Sequence, residues 1–188
     1  MSKSRVVPSV EIAVLIRTAR WRTRLPGAAR LCRRAARAAL QRVSGSAPCA
    51  KLLRRQAGEI SVVLASDSFV AKLNHDYRGK RGPTNVLSFP SGFLSGDNFV
   101  GGGPWGTERM PIGDVVIAFE TVVSEAKQEG KRLGDHLAHL TVHGVLHLLG
   151  YDHEQKKDAA RMEAVEVEIL ESLGIPDPYR EAKTAKVA

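Results

Sequence analysis

The sequence predicts a single α/β domain spanning residues 1–188. Short β-branched, apolar runs alternate with segments of helical periodicity. No internal repeat or long linker interrupts the 188 residues, a length that can bury a hydrophobic core without staples. At 43% hydrophobic and 26% charged, the composition is that of a soluble globular chain.

The elements follow in order. Residues 9–16, SVEIAVLI, read as the first strand. Residues 26–43 read as an amphipathic helix, with Ala28, Leu31, Cys32, Ala35, Ala39 and Val43 tracing its apolar stripe. SGSAPCA at 44–50 is a loop, and EISVVLA at 59–65 is a second strand. Ser66 is the expected N-cap of a helix that ends near Tyr77, with Gly79 just beyond. Gly82-Pro83 marks a turn, residues 86–89 a third strand, and Pro90 closes it. Six glycines between 91 and 110 read as a mobile loop. IGDVVIAFE at 112–120 is the fourth strand, followed by helices at about 119–131, 133–149 and 154–173. The polar end, about 179–188, is expected to fray.

Several classes are excluded. No run approaches the roughly 20 apolar residues of a membrane span. No hydrophobic region follows the first basic residues, so a secretory leader is not expected. The early stretch is Arg-rich and acid-poor, as transit peptides are, but SVEIAVLI reads as part of the mature fold. Cys32 and Cys49 form neither a disulfide framework nor a thiolate zinc site, which fits a reducing cytoplasm. Trp21 and Trp105 are expected to pack in core or loop rather than to stack bases.

Charge is lopsided. Residues 1–60 hold 14 Lys and Arg against Glu11 and Glu59, a net of +12, while the remainder carries 14 basic and 18 acidic residues, a net of −4. Arg30, Arg33, Arg34 and Arg37 fall on one helical face. They form either a row that tracks phosphates or a solvated basic face.

The chemistry concentrates in TVHGVLHLLGYDHE, residues 141–154. His143 and His147 lie four apart and so project side by side from a helix. Gly150 can adopt the left-handed conformation that ends helices, letting His153 swing back toward the pair. Three imidazoles around one ion, with a fourth position open, is the pattern of a catalytic zinc site. Nickel, cobalt or manganese would also suit imidazole. His136 and His139 lie on the same helix, either behind the ligands or on a solvated edge. The spacing resembles that of metzincin peptidases, hence a zincin-like metal-site helix. In those enzymes a Glu general base follows the first His, and here that position is Gly144. A zinc site without that base, facing Arg78 with Lys80 and Arg81 nearby, suits phosphodiester chemistry, because an Arg fork matches phosphate.

HGVLHLLGYDH resembles the signature of the YbeY family of bacterial metal-dependent endoribonucleases. LNHDYRGKRGPTNVLSFP at 73–90 resembles its second characteristic block, and IGDVVIA at 112–118 its following strand. The resemblance covers roughly residues 58–178 well and the first strand and helix more loosely. It implies a small mixed four-stranded sheet flanked by helices. It implies His143, His147 and His153 as zinc ligands, with Arg78 facing the metal. It further implies an endoribonuclease acting on single-stranded RNA in 3′-end maturation of small-subunit ribosomal RNA and in ribosome quality control. The expected partners are the small ribosomal subunit, ribosomal proteins and an Era-type GTPase. Two departures stand out: the family usually has Lys-Asp at Lys80-Arg81, and often Asp at Asn85. Both remove an acid beside Arg78 and leave the loop more attractive to phosphate. Two other readings stand beside this one, a metallopeptidase-like hydrolase and a non-catalytic ribosome assembly factor with structural zinc.

Overall fold

A computed structural model describes residues 10–43, 57–91, 109–152 and 155–180. Chain order is β1 (Val10–Ile16), α1 (Ala19–Arg24), α2 (Ala28–Val43), β2 (Gly58–Ala65) and α3 (Asp67–Arg78), then β3 (Val86–Pro90), β4 (Met110–Ala118), α4 (Phe119–Gln128), α5 (Leu133–Leu148) and α6 (Lys156–Ser172). The four strands form one mixed sheet in the order β1-β2-β4-β3. β1, β2 and β4 run parallel, while β3 pairs antiparallel with β4 and forms an edge. The expected α/β class with a four-stranded mixed sheet is therefore the observed one.

Alternation along the strands divides the core. Ile60, Val62, Leu64, Val115 and Ile117 belong to the larger cluster, with the buried residues of α2, α5 and α6. Leu87, Val116 and Ala118 belong to a smaller cluster with Val70 of α3. Period-two side chains thus cover one sheet face with α2 and α5, on which α6 packs in turn, and the other with α3.

The structure changes four expectations. The helix expected at 26–43 is α2 and begins at Ala28, after Pro26-Gly27; a short, unexpected α1 precedes it and buries Trp21. The Trp21 indole donates to the Ala65 carbonyl at 3.3 Å and meets Phe119 edge-on at 5.0 Å, in keeping with a core role. Trp105 lies outside the described residues, as do the loop at 44–50 and nearly all of the Gly-rich stretch. Ser66 makes no side-chain cap. Instead α3 and α4 cap each other: the Asp67 amide donates to Glu120 at 2.8 Å, and the Thr121 amide donates to Asp67 at 3.0 Å. The last strand stops at Ala118, where that shared cap starts α4, rather than at residue 120. The chain near residue 179 is docked rather than frayed, because Lys131 donates to the Pro178 carbonyl at 3.0 Å and the Tyr179 hydroxyl reaches Glu166. Residues 181–188 lie outside the described residues.

Candidate active site

Helix α5 positions the histidines. Leu137, Leu140, Thr141, Val145 and Leu148 bury one side of it, and His136, His139, His143 and His147 form a stripe along another at spacings of three, four and four. The helix stops where the spacing placed its end. Gly150 takes φ 88, and the Tyr151 amide returns to the Leu146 carbonyl at 3.0 Å. Midway, Gly144 lets the helix touch the sheet. A Cβ there would stand 2.5 Å from Val115 Cγ1 and 3.2 Å from Ser88 Oγ. The position that carries the general base in metzincins is here a packing contact with no room for a carboxylate.

A cleft of about 900 Å³ opens at the end of α5 beside edge strand β3. Arg78, Lys80, Asn85, Ser88, His143, His147 and Asp152 are among the residues that line it. Arg78 and Lys80 arrive from the end of α3 and the turn after it. That turn is held by Asn74, whose side-chain amide donates to the Gly82 carbonyl at 2.9 Å and whose own carbonyl accepts the Lys80 amide. Arg78 is exposed and makes no ion pair or hydrogen bond among the described residues. The departure at Asn85 has a clear contact: its amide nitrogen donates to Glu125 at 3.1 and 3.2 Å, and its oxygen accepts the Val86 amide at 2.7 Å. An Asp there would set a second carboxylate against Glu125.

The Nε2 atoms of His143 and His147 are 3.1 Å apart. That separation serves a ring-to-ring N–H···N hydrogen bond. It also lies close to the edge of about 3.3 Å expected between two tetrahedral zinc ligands with Zn–N near 2.0–2.1 Å. The donor set fits zinc or another imidazole-loving ion. Among the described residues, His, Cys, Asp and Glu form no cluster of three suited to a metal. His153, the expected third ligand, lies outside the described residues.

Behind the pair stands Glu166 of α6, which is fully buried. Its Oε1 is 2.7 Å from His143 Nδ1, its Oε2 is 3.1 Å from His139 Nε2, and the Tyr179 hydroxyl donates to Oε2. Burial pushes this carboxyl up, but hydrogen bonds from His139 and His143 more than reverse that and bring it down to about 2. Burial and the neighbouring Glu166 charge hold the Tyr179 phenol well above its ordinary range. His136 is tied to Glu125 at 2.8 Å. Neither His136 nor His139 is a solvated edge; each faces a carboxylate. The sequence did carry a signal for Glu166. Met162, Val165, Ile169 and Leu170 are buried at helical spacing, and Glu166 occupies the remaining position of that stripe.

The other expected contacts lie elsewhere. Arg30, Arg33, Arg34 and Arg37 are on α2, which packs beside β1 at the opposite sheet edge, and none lines the cleft. Arg33 donates to the Ile12 carbonyl at 3.3 Å and Arg34 to the Leu173 carbonyl at 3.0 Å, so half of the row ties the fold together. Arg30 and Arg37 are exposed. Arg81, also exposed, is not among the residues lining the cleft. No described helix is long and apolar enough to cross a membrane.

Comparison with known proteins places this arrangement. The family model described as Endoribonuclease YbeY matches residues 27–174, which include both the histidine helix and the arginine-bearing turn. A protein of that name from Paramagnetospirillum magneticum is 47% identical over 173 residues, covering 92% of this chain and 98% of the relative. One from Azorhizobium caulinodans is 45% identical over 170 residues, 90% and 96% of the two chains. One from Parvibaculum lavamentivorans is 53% identical over 124 residues, 66% of each. A Thermotoga maritima protein of known solution structure matches at 20% identity with a TM-score of 0.49 over 93% of both chains, a likeness too weak to bear on the site. The chain belongs to the endoribonuclease YbeY family.

Proposed function

We propose that this protein is a metal-dependent endoribonuclease that cuts single-stranded RNA in the cleft between α5 and β3. The observation that carries the reading is the convergence of two imidazole Nε2 atoms, 3.1 Å apart, in one open cleft with Arg78 and Lys80. His143 and His147, with His153 as third ligand, would hold one zinc ion. Bound there, zinc supplies Lewis acidity toward the scissile phosphodiester. Arg78 grips the non-bridging oxygens with its planar fork and offsets the charge that grows on them. Lys80 adds a second cation on the same side. The cleft is open at its margin, as a flexible single strand requires.

The names of the relatives support RNA as the substrate. Within that class, we place the protein in the cytoplasm, in 3′-end maturation of small-subunit ribosomal RNA and in ribosome quality control. It would work with the small subunit, its ribosomal proteins and an Era-type GTPase. The test is cleavage of a defined single-stranded RNA by metal-assayed wild type, His143→Ala and Arg78→Ala. Zinc near one ion per chain is expected, with loss of cutting in both variants. Wild-type rates from metal-free His143→Ala would overturn the reading.

A further inference from the structure

We propose that Glu166, buttressed by Tyr179, is a positioning residue for His143: it fixes the ring so that Nε2 turns a lone pair, not a proton, toward His147. The inference rests on the reading of this cleft as a metal site.

A carboxylate with no exposed surface is costly, and a hydrophobic residue at this point of the α6 stripe would serve packing better. What Glu166 does instead follows from its partners. An ionised carboxylate only accepts hydrogen bonds, so His143 Nδ1, His139 Nε2 and the Tyr179 hydroxyl must each donate to it. A neutral imidazole carries one proton. With that proton on Nδ1, the His143 Nε2 facing His147 is left as a lone pair. A histidine held by a carboxylate at one nitrogen and free to ligate at the other is the arrangement that orients metal-binding imidazoles.

Tyr179 completes the clamp from beyond α6. Its amide donates to Asp177 at 2.8 Å, and its ring packs edge-on against His139 with centroids 5.5 Å apart. The docked segment therefore reaches His143 through a single carboxylate. Tyr179 sits near the end of the described chain, yet it governs the geometry of a ligand on the central helix.

The test uses the metal-free full-length protein with 15N-labelled histidine, at a pH where the rings are neutral. The His143 resonances are identified by their loss in His143→Ala. Wild type is expected to show the Nδ1–H pattern, and Glu166→Ala to shift toward Nε2–H. Competition with a chromophoric chelator should show zinc binding weakened by about 10–100-fold in Glu166→Ala. Glu166→Gln, which keeps one acceptor, should recover part of it, and Tyr179→Phe, which leaves the carboxylate in place, should lose less than Glu166→Ala does. A folded Glu166→Ala that keeps the Nδ1–H pattern, or binds zinc as wild type does, overturns the proposal. If that variant does not fold, an unchanged spectrum and affinity in Tyr179→Phe overturns it instead. If wild type itself binds no zinc, the metal reading fails, and the ring spectra alone decide the role of Glu166.

Discussion

Gly144→Ala is the smallest change that tests how α5 is seated. Its new Cβ would lie 2.5 Å from Val115 Cγ1 and 3.1 Å from Cγ2, where ordinary contact begins at 3.4 Å. Helix and strand must therefore part by about 0.9 Å, the difference between 3.4 and 2.5 Å. Val115 is fully buried in a central strand, and its branched side chain has little rotamer freedom, so it cannot yield cheaply. Overpacking of this kind costs about 1–3 kcal/mol, against about 1 kcal/mol gained from alanine's helix propensity. The rigidity of Val115 puts the cost near the upper end, for a net loss of about 2 kcal/mol. For a chain of this size that lowers Tm by about 4–8 °C. The assay is urea unfolding of Gly144→Ala, Val115→Ala and the double variant, compared at constant m. Val115→Ala removes both clashing methyls and leaves only alanine's helix propensity, so the double variant should be up to about 1 kcal/mol more stable than Val115→Ala alone, a coupling of about 3 kcal/mol. Additivity within about 0.5 kcal/mol, or a Gly144→Ala protein more stable than wild type, would refute the packing argument. By the same geometry Gly144→Glu, which writes in the peptidase base, should unseat α5 rather than yield peptide cleavage.

Other outcomes follow from the same contacts. Arg78→Ala should cut the rate by about 10²–10³-fold with Tm unchanged, because the side chain supports no described contact; steady-state kinetics beside a melting curve check both. Chelation should abolish RNA cleavage while the fold survives with a small loss of Tm, whereas a structural zinc would unfold the chain. On α2, Arg30→Ala and Arg37→Ala should weaken RNA binding and each lower the salt slope by about 1 if that face meets RNA, while Arg33→Ala and Arg34→Ala should mainly cost stability; salt-dependent binding and denaturation separate the two. Burial, outweighing the hydrogen bond from Thr141, pushes the Cys32 thiol from 9.0 to about 11. Above pH 9 the unfolded thiol therefore loses its proton before the folded one does. The contribution is complete below pH 9.0 and lost toward about 11, at up to about 1.4 kcal/mol per pH unit. The stability difference between wild type and Cys32→Ala should be constant below pH 9.0 and change with pH in that window alone.

What was legible in the sequence was whatever short-range periodicity encodes. The strands around EISVVLA and VVIA, the helix under the His-x3-His spacing and the stop at Gly150 all follow from patterns within about ten residues, and all are present. Local rules failed where a distant segment supplied the partner. Ser66 has the right chemistry for a cap, but Glu120 takes that role from 53 residues away and Asp67 returns the bond. The α2 arginines look alike in sequence, and only the carbonyls of Ile12 and Leu173 tell Arg33 and Arg34 apart from Arg30 and Arg37. Gly144 read as a missing base, because sequence shows which side chain is absent and not what fills its space. Glu166 is the instructive case. In the α6 stripe it is a polar residue at an apolar position, a violation visible without coordinates. A fold keeps such a violation only where something gathers donors around the charge. Here the donors are two rings of the histidine stripe and a tyrosine from beyond the helix. The buried acid therefore marks the side from which the His143 ring is held, as its Nε2 beside His147 marks the side that faces the cleft.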